Sequence, residues 1–230
     1  MATFVLVHGS NQGGWIWKPV ALKLQAAGHL VYRPTLEGAG ERAPGLRAET
    51  SLNTWGHELA RLMFYEDLTD VILVATSSGG LPVARAAEEV PERIHRLVFI
   101  DALVPISGES VALILNRPPW DPTQVAQGFS PDEARERAFS GLEPKLRVWA
   151  AERYTRQPRR PQEEPVDLKR FWSLKWQVDV LRCTQSPRPP VEHQRRTAEL
   201  LGGTYQEIDA GHYPMLTHVD EIAAYLLAMA

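Results

Sequence analysis

Val71-Ile72-Leu73-Val74-Ala75-Thr76-Ser77-Ser78-Gly79-Gly80 decides how this chain is read. An unbroken aliphatic and β-branched run is what a strand buried on both faces shows, and the small residues that follow it at once mark a sharp turn. Leu81 to Val90, rich in Ala and Glu and closed by Pro91, predicts a helix directly after the turn. Between strand and helix, Ala75-Thr76-Ser77-Ser78-Gly79 matches small-x-Ser-x-Gly. Small residues are needed in such an elbow because the strand doubles back into the helix and leaves the central hydroxyl exposed above the sheet. Ser77 is therefore a candidate nucleophile. The same stretch also fits an ordinary strand-to-helix turn rich in Ser and Gly.

Strands and helices alternate on either side. Phe4 to Val7 is a short buried strand that runs into His8-Gly9-Ser10-Asn11-Gln12-Gly13-Gly14, followed by a helix from about Trp15 to Ala27 that Gly28 can stop. The Gly spacing does not give G-x-G-x-x-G, the next strand (Leu30 to Tyr32) ends in Arg33-Pro34 without a ribose-binding acid, and no Gly-Lys-Ser/Thr occurs. A dinucleotide or P-loop site is excluded on these grounds. An oxyanion loop remains, with backbone N–H groups facing charge that develops on a carbonyl oxygen, beside the bland alternative of a tight turn with a structural His8. A helix from about Asn53 to Tyr65 precedes the Ser77 strand, and Leu97 to Ile100 forms the next strand, ending at Asp101. Val178 to Cys183 and Thr204 to Ile208 are later strands, with helices at about Val191 to Leu201 and Asp220 to Met229. Alternation of this kind predicts an α/β fold, a mostly parallel doubly wound sheet of about six strands in one domain spanning residues 1–230. A reversal of winding after the second strand sets strands one and three side by side and the Ser10 loop next to Ser77.

Between about 104 and 176 the alternation lapses. Ser110 to Leu115, Pro131 to Phe139 and Pro144 to Tyr154 look helical, separated by Arg117-Pro118-Pro119 and by the Pro-rich Gln157 to Pro165. Trp120, Trp149 and Trp172 concentrate aromatic area there, which predicts a helical lid whose indoles line a substrate pocket; an extra core layer is the alternative. His212 stands in Asp209-Ala210-Gly211-His212-Tyr213-Pro214-Met215, a loop after the last strand from which an imidazole can swing over the sheet towards Ser77.

With 230 residues, 44% of them hydrophobic, the chain can bury the core of one α/β domain. A net charge of -3 provides no basic field for nucleic acid. Arg156, Arg159 and Arg160 are followed by Glu163 and Glu164, as in a solvated loop. One cysteine, Cys183, allows no internal disulfide and suits a reducing compartment. The N-terminal apolar run is too short for a signal peptide or a membrane span. These features predict a cytoplasmic protein with a small-molecule substrate and no nucleic-acid or membrane partner; they leave the oligomeric state open.

Taken together, Val7-His8-Gly9 with Gly14-Trp15-Ile16-Trp17, the stretch Pro34 to Arg42, Tyr65-Glu66-Asp67-Leu68, Arg96 to Pro105, and Gly211-His212 with Met215 resemble the α/β-hydrolase superfamily, in particular its small lidded esterases related to plant hydroxynitrile lyases. The resemblance implies Ser77 as nucleophile, His212 as base and an oxyanion hole from the N–H groups of Ser10 and Ser78, with no metal or organic cofactor. Ala75-Thr76 stands where that branch usually has Gly-His. Cyanohydrin-cleaving members usually carry Thr after the first loop's His and Lys after the catalytic His; Gly9 and Tyr213 here favour ester chemistry. No carboxylate follows Cys183, where the superfamily most often places its acid. Asp179 falls at the wrong edge of the sheet and Glu192 in the first turn of a helix, which leaves Asp101 as the third catalytic residue, or as a structural hydrogen-bonding group. The expected activity is cleavage of a small carboxylic ester, thioester or lactone through an acyl-enzyme. Elimination or cyclisation on the same site, and ligand binding without catalysis, are the alternatives.

Overall fold

Six strands form one sheet in the computed structural model, which describes every residue except Pro119 and Pro122. In chain order the elements are β1 (Thr3–Val7), α1 (Lys18–Ala26), β2 (Leu30–Tyr32), α2 (Leu52–Tyr65), β3 (Val71–Ser77), α3 (Gly80–Glu89) and β4 (Ile94–Ala102). Within the segment that follows β4, beside other short helical turns, lie α4 (Val111–Ile114), α5 (Pro144–Ala151), α6 (Arg160–Glu163) and α7 (Lys169–Ser173). The chain then returns to the sheet with β5 (Val178–Cys183), α8 (Val191–Leu201), β6 (Thr204–Ile208) and α9 (Val219–Leu227). The strand order is β2-β1-β3-β4-β5-β6 and every pairing is parallel.

Alternate residues of the central strands feed two cores, as the two-residue period of a strand requires. Val5, Val7, Leu73, Ala75, Leu97 and Phe99 face α2, α3 and α8. Phe4, Leu6, Ile72, Val74, Val98 and Ile100 face α1 and α9. Each Val, Leu, Ile or Phe among them contributes about 1.5–3 kcal/mol on leaving water, which is why the strands are apolar throughout rather than alternating. Local signals set the helix ends: Ser51 and Thr54 form a reciprocal capping box at the start of α2, and Gly202, at φ 63°, closes α8.

β1 lies between β2 and β3, so the winding reverses there, and Val7 pairs with Ala75 at the C-terminal ends. The loop after β1 and the turn after β3 consequently emerge side by side. His8 holds this arrangement from below. Its Nδ1 lies 2.8 Å from Gly9 O as donor, and its Nε2 accepts Leu36 N–H at 3.0 Å, tying β1 to the loop after β2.

The segment after β4 differs most from expectation. The three anticipated helices shorten to Val111–Ile114, a turn at Pro131–Glu133 running into a π-helical turn at Ala134–Ala138, and Pro144–Ala151. A two-residue antiparallel ladder, Ala126–Gln127 with Gln157–Pro158, and the helices α6 and α7 are additions. Gln157 to Pro165 is thus more than a separator; Pro161 sits in the first turn of α6, where its missing N–H costs nothing. Arg159 and Arg160 are not free in solvent either, since they pair with Glu163 and Glu164 at i,i+4 spacing. In the break at Arg117-Pro118-Pro119, Pro119 lies outside the described residues. β4 also begins earlier than expected, at Ile94, under a partly polar face. No helix among the described residues is long and apolar enough to cross a membrane.

Two buried histidines make the fold sensitive to acid. Burial pushes the imidazoles of His8 and His193 down to about 4, and each accepts a backbone N–H at Nε2 in its neutral form. Because the folded values lie below the ordinary histidine value, the unfolded chain binds the extra protons first. Stability is therefore full above about pH 6.5 and is lost as pH falls towards 4, by up to about 3 kcal/mol per residue. Urea unfolding at pH 7 and pH 4.5 should show this loss, and a His193→Gln variant should show a smaller one; equal losses in the two proteins would remove His193 from the account.

Candidate active site

The turn after β3 is built by close backbone approach. Ser77 has φ 52°, unusual for a residue with a Cβ. A Cβ on Gly79 would come within 2.5 Å of His8 O and 2.8 Å of Thr76 O, and one on Gly9 within 2.5 Å of the Ser77 Cβ. Only glycine fits at both positions. Ala75, two strand residues before Ser77, is fully buried in the core and needs no such exemption.

Asp101 is placed by an irregularity in β4. Thr76 pairs with Ile100 but Ser77 with Ala102, so Asp101 is the extra residue of a bulge, at φ 47°. Bulges re-aim side chains beside functional sites. Here the carboxylate is fully buried, and its Oδ2 lies 2.6 Å from His212 Nδ1. Its other oxygen accepts Gln194 Nε2 at 2.9 Å and Cys183 N–H at 3.4 Å. With Nδ1–H donated to Asp101, His212 presents Nε2 as an acceptor. Ser77 and His212 line one cavity of about 800 Å³.

The other acids lie elsewhere. Asp179 binds Arg96 and Thr204 at the opposite edge of the sheet, and Glu192 is exposed on the first turn of α8.

Ser10 and Ser78 meet across the mouth of the turn, their Oγ atoms 2.8 Å apart. Among the described residues neither backbone N–H has a protein acceptor. Gln162 of α6, fully buried, donates Nε2 to both hydroxyls, at 2.7 and 2.9 Å. Asn11, next in the loop, gives its side-chain amide to Gln127 O and Thr155 O and its backbone N–H to Gln157. Sequence reasoning missed both clamps. The one available signal was the set of glutamines Gln124, Gln127, Gln157 and Gln162 spread through that segment.

The three tryptophans do not line the cavity, which corrects their assignment to substrate binding. Trp172 donates its indole N–H to Pro105 O at 3.0 Å and packs edge-on against Phe171. Trp149 lies 5.3 Å from Trp15 with Arg153 over its ring, and Trp120 bonds Gln124 O within its own loop. The area of Trp149 and Trp172 is used in packing against the two cores, the alternative the sequence left open. Apolar cavity wall comes instead from Leu103, Leu115, Phe129, Leu142, Tyr154 and Tyr213.

A family profile described as the alpha/beta hydrolase family matches residues 4–225. The chain belongs to that family. Over 131 residues it is 39% identical to a carbendazim hydrolyzing esterase of a Nocardioides species, a match that covers 56% of this chain and 54% of the relative, about half the length of each. Salicylic acid-binding protein 2 of Nicotiana tabacum is 32% identical over 99% of this chain and 96% of its own length. Among solved structures, an extracellular alpha/beta-hydrolase from a Paenibacillus species superposes with a TM-score of 0.84 at 24% identity, covering 99% of this chain and 98% of that one.

Packing of the indole rather than contact with a ligand sets the outcome for Trp172→Ala. It should lower the unfolding free energy by about 3 kcal/mol, measured by chemical denaturation, and leave the cavity's size preference among small ligands where it was. A changed preference at unaltered stability would return this side chain to the cavity.

Proposed function

We propose that this protein hydrolyses a small carboxylic ester through an acyl-enzyme on Ser77. The observation that carries the reading is the 2.6 Å contact between His212 Nδ1 and the buried Asp101 carboxylate, made over the same cavity that Ser77 lines. Family membership and a relative named as an esterase support it.

In this scheme Asp101 fixes the His212 tautomer and stabilises the imidazolium. His212 Nε2 takes the proton as Ser77 Oγ attacks the ester carbonyl, then returns it to the departing alkoxide, so that the alcohol leaves and the acyl group stays on Ser77. A water gives its proton to the same nitrogen, attacks the acyl carbonyl and releases the acid, restoring the Ser77 hydroxyl. Both tetrahedral intermediates carry charge on the former carbonyl oxygen, and the Ser10 and Ser78 N–H groups are the donors available to it. Gln162 acts one step back: by bonding both hydroxyls it holds two separate loops at one spacing, which keeps the two N–H groups convergent.

Ser77→Ala should abolish turnover of a chromogenic short-chain ester, by on the order of 10⁴-fold or more, and Asp101→Asn should cost about 10³- to 10⁴-fold. Ser78→Ala keeps its N–H and should lose far less. A folded Asp101→Asn enzyme with near-normal kcat would refute the role given to Asp101, and equal losses from Ser77→Ala and Ser78→Ala would refute the elbow.

A further inference from the structure

Three arginines line the cavity, Arg117, Arg137 and Arg188, against a single carboxylate, Glu143, among the described residues. None of the three takes part in an ion pair among the described residues. Arg137 at least rests on an aromatic surface, its guanidinium 4.4 Å from the centre of the Phe129 ring. Arg117 is different. It follows α4 at the cavity wall and is half-buried, yet its side chain has no hydrogen-bond partner among the described residues. The carboxylate whose charge reaches it most strongly, Glu163, is already bonded to Arg159 Nε at 3.1 Å. Burial loosens the hold of Arg117 on its proton, the charge of Glu163 opposes this, and the like charges of Arg188 and Arg159 add to the loosening, so among the described residues this cation has no direct partner of its own.

A partly desolvated guanidinium without a partner is costly, and a carboxylate in reach would relieve that cost through paired charge-assisted hydrogen bonds. We propose that the cavity selects esters bearing a second, free carboxylate, with Arg117 as its principal anchor and Arg188 beside it. The natural class is the half-ester of a dicarboxylic acid, or an ester whose alcohol carries the carboxylate. Apolar wall from Leu115, Phe129 and Leu142 then receives the chain that joins ester to carboxylate. This inference rests on the esterase reading of the cavity, and its test is chosen to stand apart from turnover.

Monomethyl glutarate and methyl 5-methylhexanoate match in length and bulk and differ in a carboxylate against an isopropyl group. Binding of each to the Ser77→Ala protein, which cannot turn them over, is measured by calorimetry. The charged ester should bind at least ten-fold more tightly, and adding Arg117→Gln should erase most of that preference. Arg117→Lys, which keeps the charge but not the fork, should retain part of it and guards against a misfolded Gln variant. Equal binding of the two esters, or a preference that survives Arg117→Gln in a folded protein, would overturn the proposal. Should the unsubstituted protein bind the charged ester in this way but hydrolyse neither compound, the esterase reading fails while the carboxylate site stands.

Discussion

Everything at the candidate site depends on how closely two backbones can pass at the C-terminal edge of the sheet. β1 and β3 are neighbours because the winding reverses between β2 and β3, and parallel pairing aligns their ends, Val7 with Ala75. Past those ends the chains separate into a loop and a helix, and the space between them holds only backbone and the Ser77 side chain. Gly9 abuts the Ser77 side chain, and Gly79 abuts His8 O, with no room for a Cβ at either. The left-handed backbone of Ser77 costs on the order of 1 kcal/mol, and the surrounding sheet, buried on both faces, supplies the rigidity that keeps it there. The same proximity brings the Ser10 and Ser78 hydroxyls to 2.8 Å. One constraint therefore sets the position of the Ser77 hydroxyl and brings the Ser10 and Ser78 loops together.

Asp101 shows what local sequence can and cannot convey. Its place at the end of the strand beside that of Ser77, and the lack of any acid after Cys183, lead to it by elimination. The feature that turns its carboxylate towards His212 is a one-residue bulge against β3, and nothing in Ile100-Asp101-Ala102 announces a bulge. The means of holding the carboxylate was also hidden. Gln194 reaches it from α8, 93 positions along the chain, and only the packed fold makes that pairing visible. By contrast, β1, β3, β5, β6 and α8 are legible in the sequence nearly residue for residue, since each is a long apolar or amphipathic run with its own stop signals.

The segment after β4 resisted the same reading for physical reasons. Its helices are a turn or two long, too short for a hydrophobic period to emerge, and its ladder has two residues per strand. Aromatic content misleads there, because an indole can serve a core and a ligand wall equally well and its size alone does not distinguish them. Trp172 and Trp149 serve the core alone, whereas the smaller Phe129 and Tyr154 pack on the same core as Trp149 and also face the cavity.

That segment is bound to the rest of the site by polar contacts. Asn11 and Ser10 belong to the loop after β1, yet Gln127, Thr155, Gln157 and Gln162 of the segment satisfy them. Buried amide bonds of this kind are worth little net stability each, about 1 kcal/mol, but leaving any member unpaired costs more than the bond contributes. Such a network selects one arrangement of loop against segment and penalises the rest. The donors at the mouth of the elbow are thus held from two directions: from below by the glycines that let β1 and β3 converge, and from above by glutamines of a segment whose own fold has little periodic structure. Its position is set less by its helices than by what it must satisfy in the loop beneath, and the same segment contributes Arg117 and Phe129 to the cavity wall. Changes to the wall can therefore accumulate on a framework whose register against the loop after β1 is fixed by hydrogen bonds elsewhere.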